Sequence, residues 1–192
     1  MIQDSTPWKD ELIAVADRLQ KKTTQKRWTE RSGFLVERDL MVSAYSLRKL
    51  IDNYKVSDAL AQKQFALERF ELIDPDEVPD LFGRYSVWEY YDLEDPVKTV
   101  MPLAKVCNQI VHSWLWMLSS KEEDGAFDGL YVSSDTARKK WLYRIPIDDY
   151  IAVCREIGEE YVYSKTMTYG PGGYTGYTQI LGKKWSDYEF PE

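Results

Sequence analysis

Lys105-Val106-Cys107-Asn108-Gln109-Ile110-Val111-His112-Ser113-Trp114 is the segment on whose reading the fold turns, and it holds the chain's one histidine. Extended back to Pro102 and forward to Met117, it sets Leu103, Val106, Cys107, Ile110, Trp114 and Met117 three and four residues apart, as on one helical stripe. Pro102 suits the opening of such a helix, where its missing N–H is not needed. The polar run from Ser119 to Asp124 ends it. Lys105, Asn108, His112 and Trp116 fall on the opposite face. Val111 and Leu115 widen the apolar coverage, so the helix is expected to pack on more than one side and to bury or half-bury His112.

Upstream, Thr6 as cap and Pro7 in the first turn open a helix with Trp8, Leu12, Val15, Ala16 and Leu19 at helical spacing, running to about Lys22. After a polar break, Trp28, Leu35 and Val42 with Phe34, Met41 and Tyr45 describe a long helix ending near Asn53, and the two are expected to pair antiparallel. Ser57-Asp58 can cap a third helix, while Phe65, Leu67, Phe70 and Leu72 fit a helix or a late strand. Pro, Asp and Gly between Asp74 and Pro96 predict a long irregular connection, packed down by Tyr85, Trp88, Tyr90 and Tyr91.

Downstream, Gly129–Asp135 and Lys139–Ile145 are β-rich runs joined closely enough for a hairpin. Asp148-Asp149 opens a short helix through Ile151, Val153, Cys154 and Ile157 that Gly158 stops. The tail from Tyr163 is a flexible arm or a further pair of strands. The expected architecture is α+β and predominantly helical, an N-terminal helical bundle with a C-terminal β-hairpin and short helix. Residues 1–124 would form the bundle core, 125–162 the hairpin and helix packed on it, and 163–192 a Gly/Tyr-rich arm, all within one domain.

A chain of 192 residues can bury a substantial core without disulfides or metals. Cys107 and Cys154 lie in apolar patterns without ligand spacing, so buried free thiols are expected, with no metal and no cofactor. A polar start and the lack of eighteen consecutive apolar residues lead to the expectation of a cytoplasmic protein without a membrane partner. The net charge of −7 argues against general electrostatic binding to nucleic acid, while leaving room for a local basic patch. Seven Trp and fourteen Tyr can supply both core bulk and partner-binding surface.

The candidate chemistry centres on His112. Four-residue spacing puts Asn108 on the same helical face, where an amide can orient an imidazole for proton transfer. This face resembles the signature helix of the HEPN superfamily of helical bundles, in which Arg, a polar residue, three others and His form a ribonuclease site across a dimer. Asn108 and His112 match that pattern, while Cys107 stands where the family's catalytic Arg would be, which implies a non-catalytic relative with a structural histidine. Lys105 is the cation on the same face. Arg38, on the apolar stripe of the long helix with Phe34, Met41 and Tyr45, can supply the missing cation or pair with Glu37, Asp39 or a distant acid.

Arg138, Lys139 and Lys140 at the expected hairpin tip, beside Trp141 and Tyr143, combine basic and aromatic character as a nucleic-acid reader would, or simply keep the tip soluble. Gly170-Pro171-Gly172-Gly173 lacks the Lys-Ser/Thr of a phosphate loop and reads as a turn. The acidic runs Glu122-Glu123-Asp124 and Asp148-Asp149 read as solvated faces and helix starts. Three functions remain. The leading one is a non-enzymatic interaction or adaptor protein, using Tyr85, Trp88, Tyr90 and Tyr91 on a protein partner or as a homodimer. The others are a HEPN-like ribonuclease acting on RNA through His112, Asn108, Lys105 and Arg38, and an acidic inhibitor or nucleic-acid mimic.

Overall fold

The computed structural model describes residues 2–121 and 123–187, so Glu122 of the acidic run and the end of the arm, 188–192, lie outside the described residues. α1 (Thr6–Lys22) carries Pro7 in its first turn and buries Leu12, Val15, Ala16 and Leu19 of the expected stripe, while its first member, Trp8, is exposed. Its N-cap is Ser5 rather than Thr6, whose N–H donates to Asp4 Oδ1 at 2.9 Å. α2 (Glu30–Asp52) begins where Thr29 Oγ1 accepts the Ser32 N–H at 3.2 Å. The ambiguous segment resolves into a single turn, α3 (Asp58–Ala61), and a strand, β1 (Gln64–Glu71).

From here the architecture departs from the sequence expectation. Instead of a helical bundle with one hairpin, the chain builds a five-stranded antiparallel sheet from β1, β2 (Val97–Pro102), β3 (Ser113–Ser120), β4 (Phe127–Ser134) and β5 (Trp141–Pro146). The order is β2-β1-β5-β4-β3. A boundary at 124/125 would cut through this sheet. The histidine helix, α4 (Leu103–Val111), starts after Pro102 as expected but stops at His112, and Trp114 to Leu118 continue as strand β3 rather than as two more helical turns.

The physical reason is that both faces of the sheet are covered. One core lies between the sheet and the helices, joining Phe65, Leu67, Leu130, Val132 and Ile145 to the buried stripes of α1, α2, α4 and a further helix, α5 (Ile147–Glu159). A smaller core on the other face joins Phe70, Leu115 and Leu142 to Val87 and Tyr91 from the 72–96 connection. In β3, Trp116 and Leu118 pack on the first core and Leu115 and Met117 on the second. A strand apolar on both faces has no alternation to betray it, and its spacing fits a helix equally well.

α5 opens after Pro146 and runs one residue past Gly158, which therefore does not terminate it. Gly158 serves close packing instead: a Cβ there would lie 2.6 Å from Ile13 Cγ1 and 3.0 Å from the Lys9 carbonyl oxygen of α1. The tail is the second of its two expected forms, a hairpin of β6 (Glu160–Gly170) and β7 (Gly173–Lys184), turning at Gly173 with φ 105°. Its base is tied down. Ile180 is buried and its N–H donates to Asp58 Oδ2 at 2.8 Å, while Glu160 accepts the Ser57 N–H at 3.0 Å and pairs with buried Lys9 at 3.8 Å. Among the described residues no helix is long and apolar enough to cross a membrane.

Candidate functional site

α4 is held at both ends. The Leu103 N–H donates to the Lys63 carbonyl at 3.0 Å, and Gln109 Oε1 accepts the Ser134 N–H of β4 at 2.9 Å. Leu103, Val106, Cys107 and Ile110 are buried against the core, which turns Lys105, Asn108 and Gln109 toward the β2–β1–β5 side of the sheet. There they line a cleft of about 470 Å³ with Arg69 of β1, Tyr143 of β5 and the Thr99–Pro102 stretch of β2. Two of the four residues expected to carry chemistry, Lys105 and Asn108, therefore share one cleft.

His112 is not among the residues lining it. It caps α4 with φ −105° and ψ 27°, is exposed rather than half-buried, and its imidazole has no hydrogen bond to any described residue. The expected orientation by the Asn108 amide is not formed, because the backbone leaves the helix at His112 and the bond that joins the two residues is His112 N–H to Asn108 C=O at 3.0 Å. Arg38 is held elsewhere: it donates to Asp39 Oδ1 at 2.7 Å, and the buried Asp39 also receives Arg18 at 2.9 Å. That is the pairing reading of Arg38 rather than the phosphate-facing one.

Arg69 was not singled out from the sequence, and Tyr143 only as an aromatic beside the basic turn. In β1 the alternation Phe65, Leu67, Arg69 puts the guanidinium in phase with core residues, the same anomaly that drew attention to Arg38, and uncertainty between helix and strand hid it. The Arg69 guanidinium lies over the Trp141 ring at 4.2 Å, and its buried Nε has no hydrogen-bond partner among the described residues. Burial pushes the Tyr143 phenol up, with the Arg69 charge pulling it partly back, so at neutral pH it stays a hydroxyl.

The basic turn behaves differently. Arg138 is largely buried, pairs with Asp135 at 3.0 Å, covers the Trp114 ring at 4.8 Å and donates to the Pro79 carbonyl, so it braces the 72–96 connection. Lys139 and Lys140 are exposed, and Trp141 is stacked under Arg69. In the aromatic connection, Tyr91 is buried and donates to the Arg138 carbonyl at 2.6 Å, and Tyr90 lies against Gly83, whose missing Cβ leaves it room. Tyr85 and Trp88 are exposed, as are two residues the sequence reading passed over, Leu81 and Phe82, the latter at 86%. Asp80 holds this bend by accepting the Phe82 and Gly83 N–H groups, both at 2.9 Å, and those donors keep its carboxyl below the usual range.

No family model, no curated protein and no solved structure matches the chain.

Proposed function

We propose that this chain is a non-catalytic interaction protein that engages a protein partner through the connection between β1 and β2. The observation that carries this reading is the grouping of exposed Leu81, Phe82, Tyr85 and Trp88 within eight residues, between anchors at Pro79, Val87 and Tyr91. Large apolar side chains held in water are unfavourable unless a partner covers them, and aromatic residues dominate the energetics of such contacts. The anchors matter as much as the exposed rings. Because Tyr91, Val87 and the Asp80 turn fix the backbone beforehand, little ordering cost remains for binding.

The test is affinity capture from the source cells with the wild-type protein and with Phe82→Ala/Trp88→Ala. A stoichiometric partner retained by the wild type and reduced at least tenfold by the variant is expected; equal recovery overturns this reading. Light scattering on both proteins identifies the partner as a second copy if the wild type is a dimer and the variant a monomer.

A ribonuclease reading is favoured by one observation, the presence of Asn108 and Lys105 in a cleft with an Arg69 that lacks a carboxylate partner. Incubation with single-stranded and structured RNA beside Lys105→Gln and His112→Ala separates it: cleavage abolished by either substitution supports catalysis at that residue, and no cleavage, or equal cleavage by all three proteins, removes the reading.

A further inference from the structure

The cleft beneath α4 gathers two cations and no acid; of the other arginines without an ion pair among the described residues, Arg27 and Arg31 are exposed and Arg84 donates to the Tyr85 hydroxyl. Arg18, Arg38, Arg48, Arg138, Arg144 and Arg155 each reach a carboxylate at 3.1 Å or less, as expected in a chain whose acids outnumber its bases. Arg69 and Lys105 do not: neither forms an ion pair with a described residue, and no residue lining their cleft carries a carboxylate. A partly buried guanidinium without an anion is costly, and in an acidic protein the missing counter-charge is not for want of acids.

The neutral groups around it are also poised. The Asn108 side-chain amide and the Tyr143 hydroxyl have no hydrogen-bond partner among the described residues, and Gln109, which accepts from Ser134, keeps its amide N–H groups free to donate. Stacking on Trp141 holds the Arg69 plane in place, so its fork can meet two oxygens of one anion without first being ordered.

We propose that this cleft is a binding site for a small organic phosphate monoester, with Arg69 and Lys105 holding the phosphate, Asn108 and Tyr143 donating to its remaining oxygens, and Val100 and Met101 contacting the organic part. Two cations match the charge of about −1.5 to −2 on a phosphate monoester, whereas a single carboxylate would leave one of them uncompensated. The volume of about 470 Å³ fits a ligand of mononucleotide size. This site is separate from the aromatic connection, so its failure leaves the interaction reading standing.

The experiment is calorimetric titration of the full chain with a ribonucleoside 5′-monophosphate, inorganic phosphate, the free ribonucleoside and a single-stranded RNA. Saturable binding of the monophosphate, weaker binding of phosphate and none of the nucleoside are expected, with affinity falling as salt rises. Lys105→Gln and Arg69→Gln should each weaken binding at least tenfold, and Arg69→Lys should recover part of it. Because Lys105 is exposed, its substitution leaves the fold intact and keeps the test decisive. No saturable binding at millimolar ligand, or binding unchanged in Lys105→Gln, overturns the proposal. RNA binding tenfold tighter than the monophosphate and lost in the same variants replaces the small ligand with a nucleic acid.

Discussion

Cys107 stands at the position where the resemblance to a ribonuclease helix requires an arginine, and its surroundings explain why a charge could not stand there. Its side chain is fully buried in the helix-facing core, and burial pushes its thiol from an ordinary 9.0 up to about 12; Cys154 and Tyr150 are pushed the same way. A folded pKa raised above the unfolded one means that the native state keeps a proton the unfolded chain gives up. This stability is fully present below pH 9 and is lost as pH rises toward 12, by about 1.4 kcal/mol per pH unit for each such group. Urea unfolding between pH 8 and 11 should show that decline, and Cys107→Ala should make it shallower while costing about 1–2 kcal/mol at pH 7. A pH slope identical in the two proteins would contradict this assignment. Arg69 interrupts the buried Phe65 and Leu67 face of β1 and meets no carboxylate, whereas α2 buries Val36, Leu40, Ala44 and Leu47 and leaves Phe34, Val42 and Tyr45 of the expected stripe exposed, so Arg38 stands on the solvent side and pairs with Asp39.

At the scale of elements, Gly158 gives the sharpest test of packing against propensity. Ala is favoured over Gly inside a helix by about 1 kcal/mol, so a local argument predicts that Gly158→Ala stabilises α5. The approach of α1 predicts the reverse, since the new methyl meets Ile13 and the Lys9 carbonyl within 3.0 Å. A net loss of about 1–3 kcal/mol is expected from equilibrium unfolding, the overpacking cost exceeding the propensity gain; a more stable variant would show that α1 shifts freely. The same contrast governs α4 and β3. Sixteen residues from Leu103 to Leu118 keep one apolar character, and the break at His112 arises because β4 offers β3 an antiparallel partner and both faces of the new strand find a core. Residues with strong local markers fared better: Pro7 and Pro102 bound their helices close to where the sequence places them.

Across the whole molecule, the helix-facing core draws on α1, α2, α4, α5 and the sheet, so those elements should lose structure together. The β6–β7 hairpin differs along its length. Glu160 and Ile180 are buried at its base, whereas Met167, Tyr169 and Tyr174 near its tip are 50%, 67% and 51% exposed. Native-state hydrogen exchange should therefore find the amides of 167–175 exchanging orders of magnitude faster than those of β1 and β5. Equal protection would mean that the tip is covered, for example by a partner or a second copy.

The sequence by itself determined what depends on near neighbours. It placed the first two helices, the irregular connection, the β4–β5 hairpin and two buried free thiols, because caps, prolines and apolar periods act within a few residues. Tertiary structure alone decided that Phe65 to Phe70 and Trp114 to Leu118 are strands, that Arg69 rather than Arg38 joins Lys105 and Asn108, and that His112 faces solvent. A strand acquires its hydrogen bonds and an arginine its counter-ion from residues far away in the chain. The antiparallel order β2-β1-β5-β4-β3 is set by those long-range pairings, which no local period encodes.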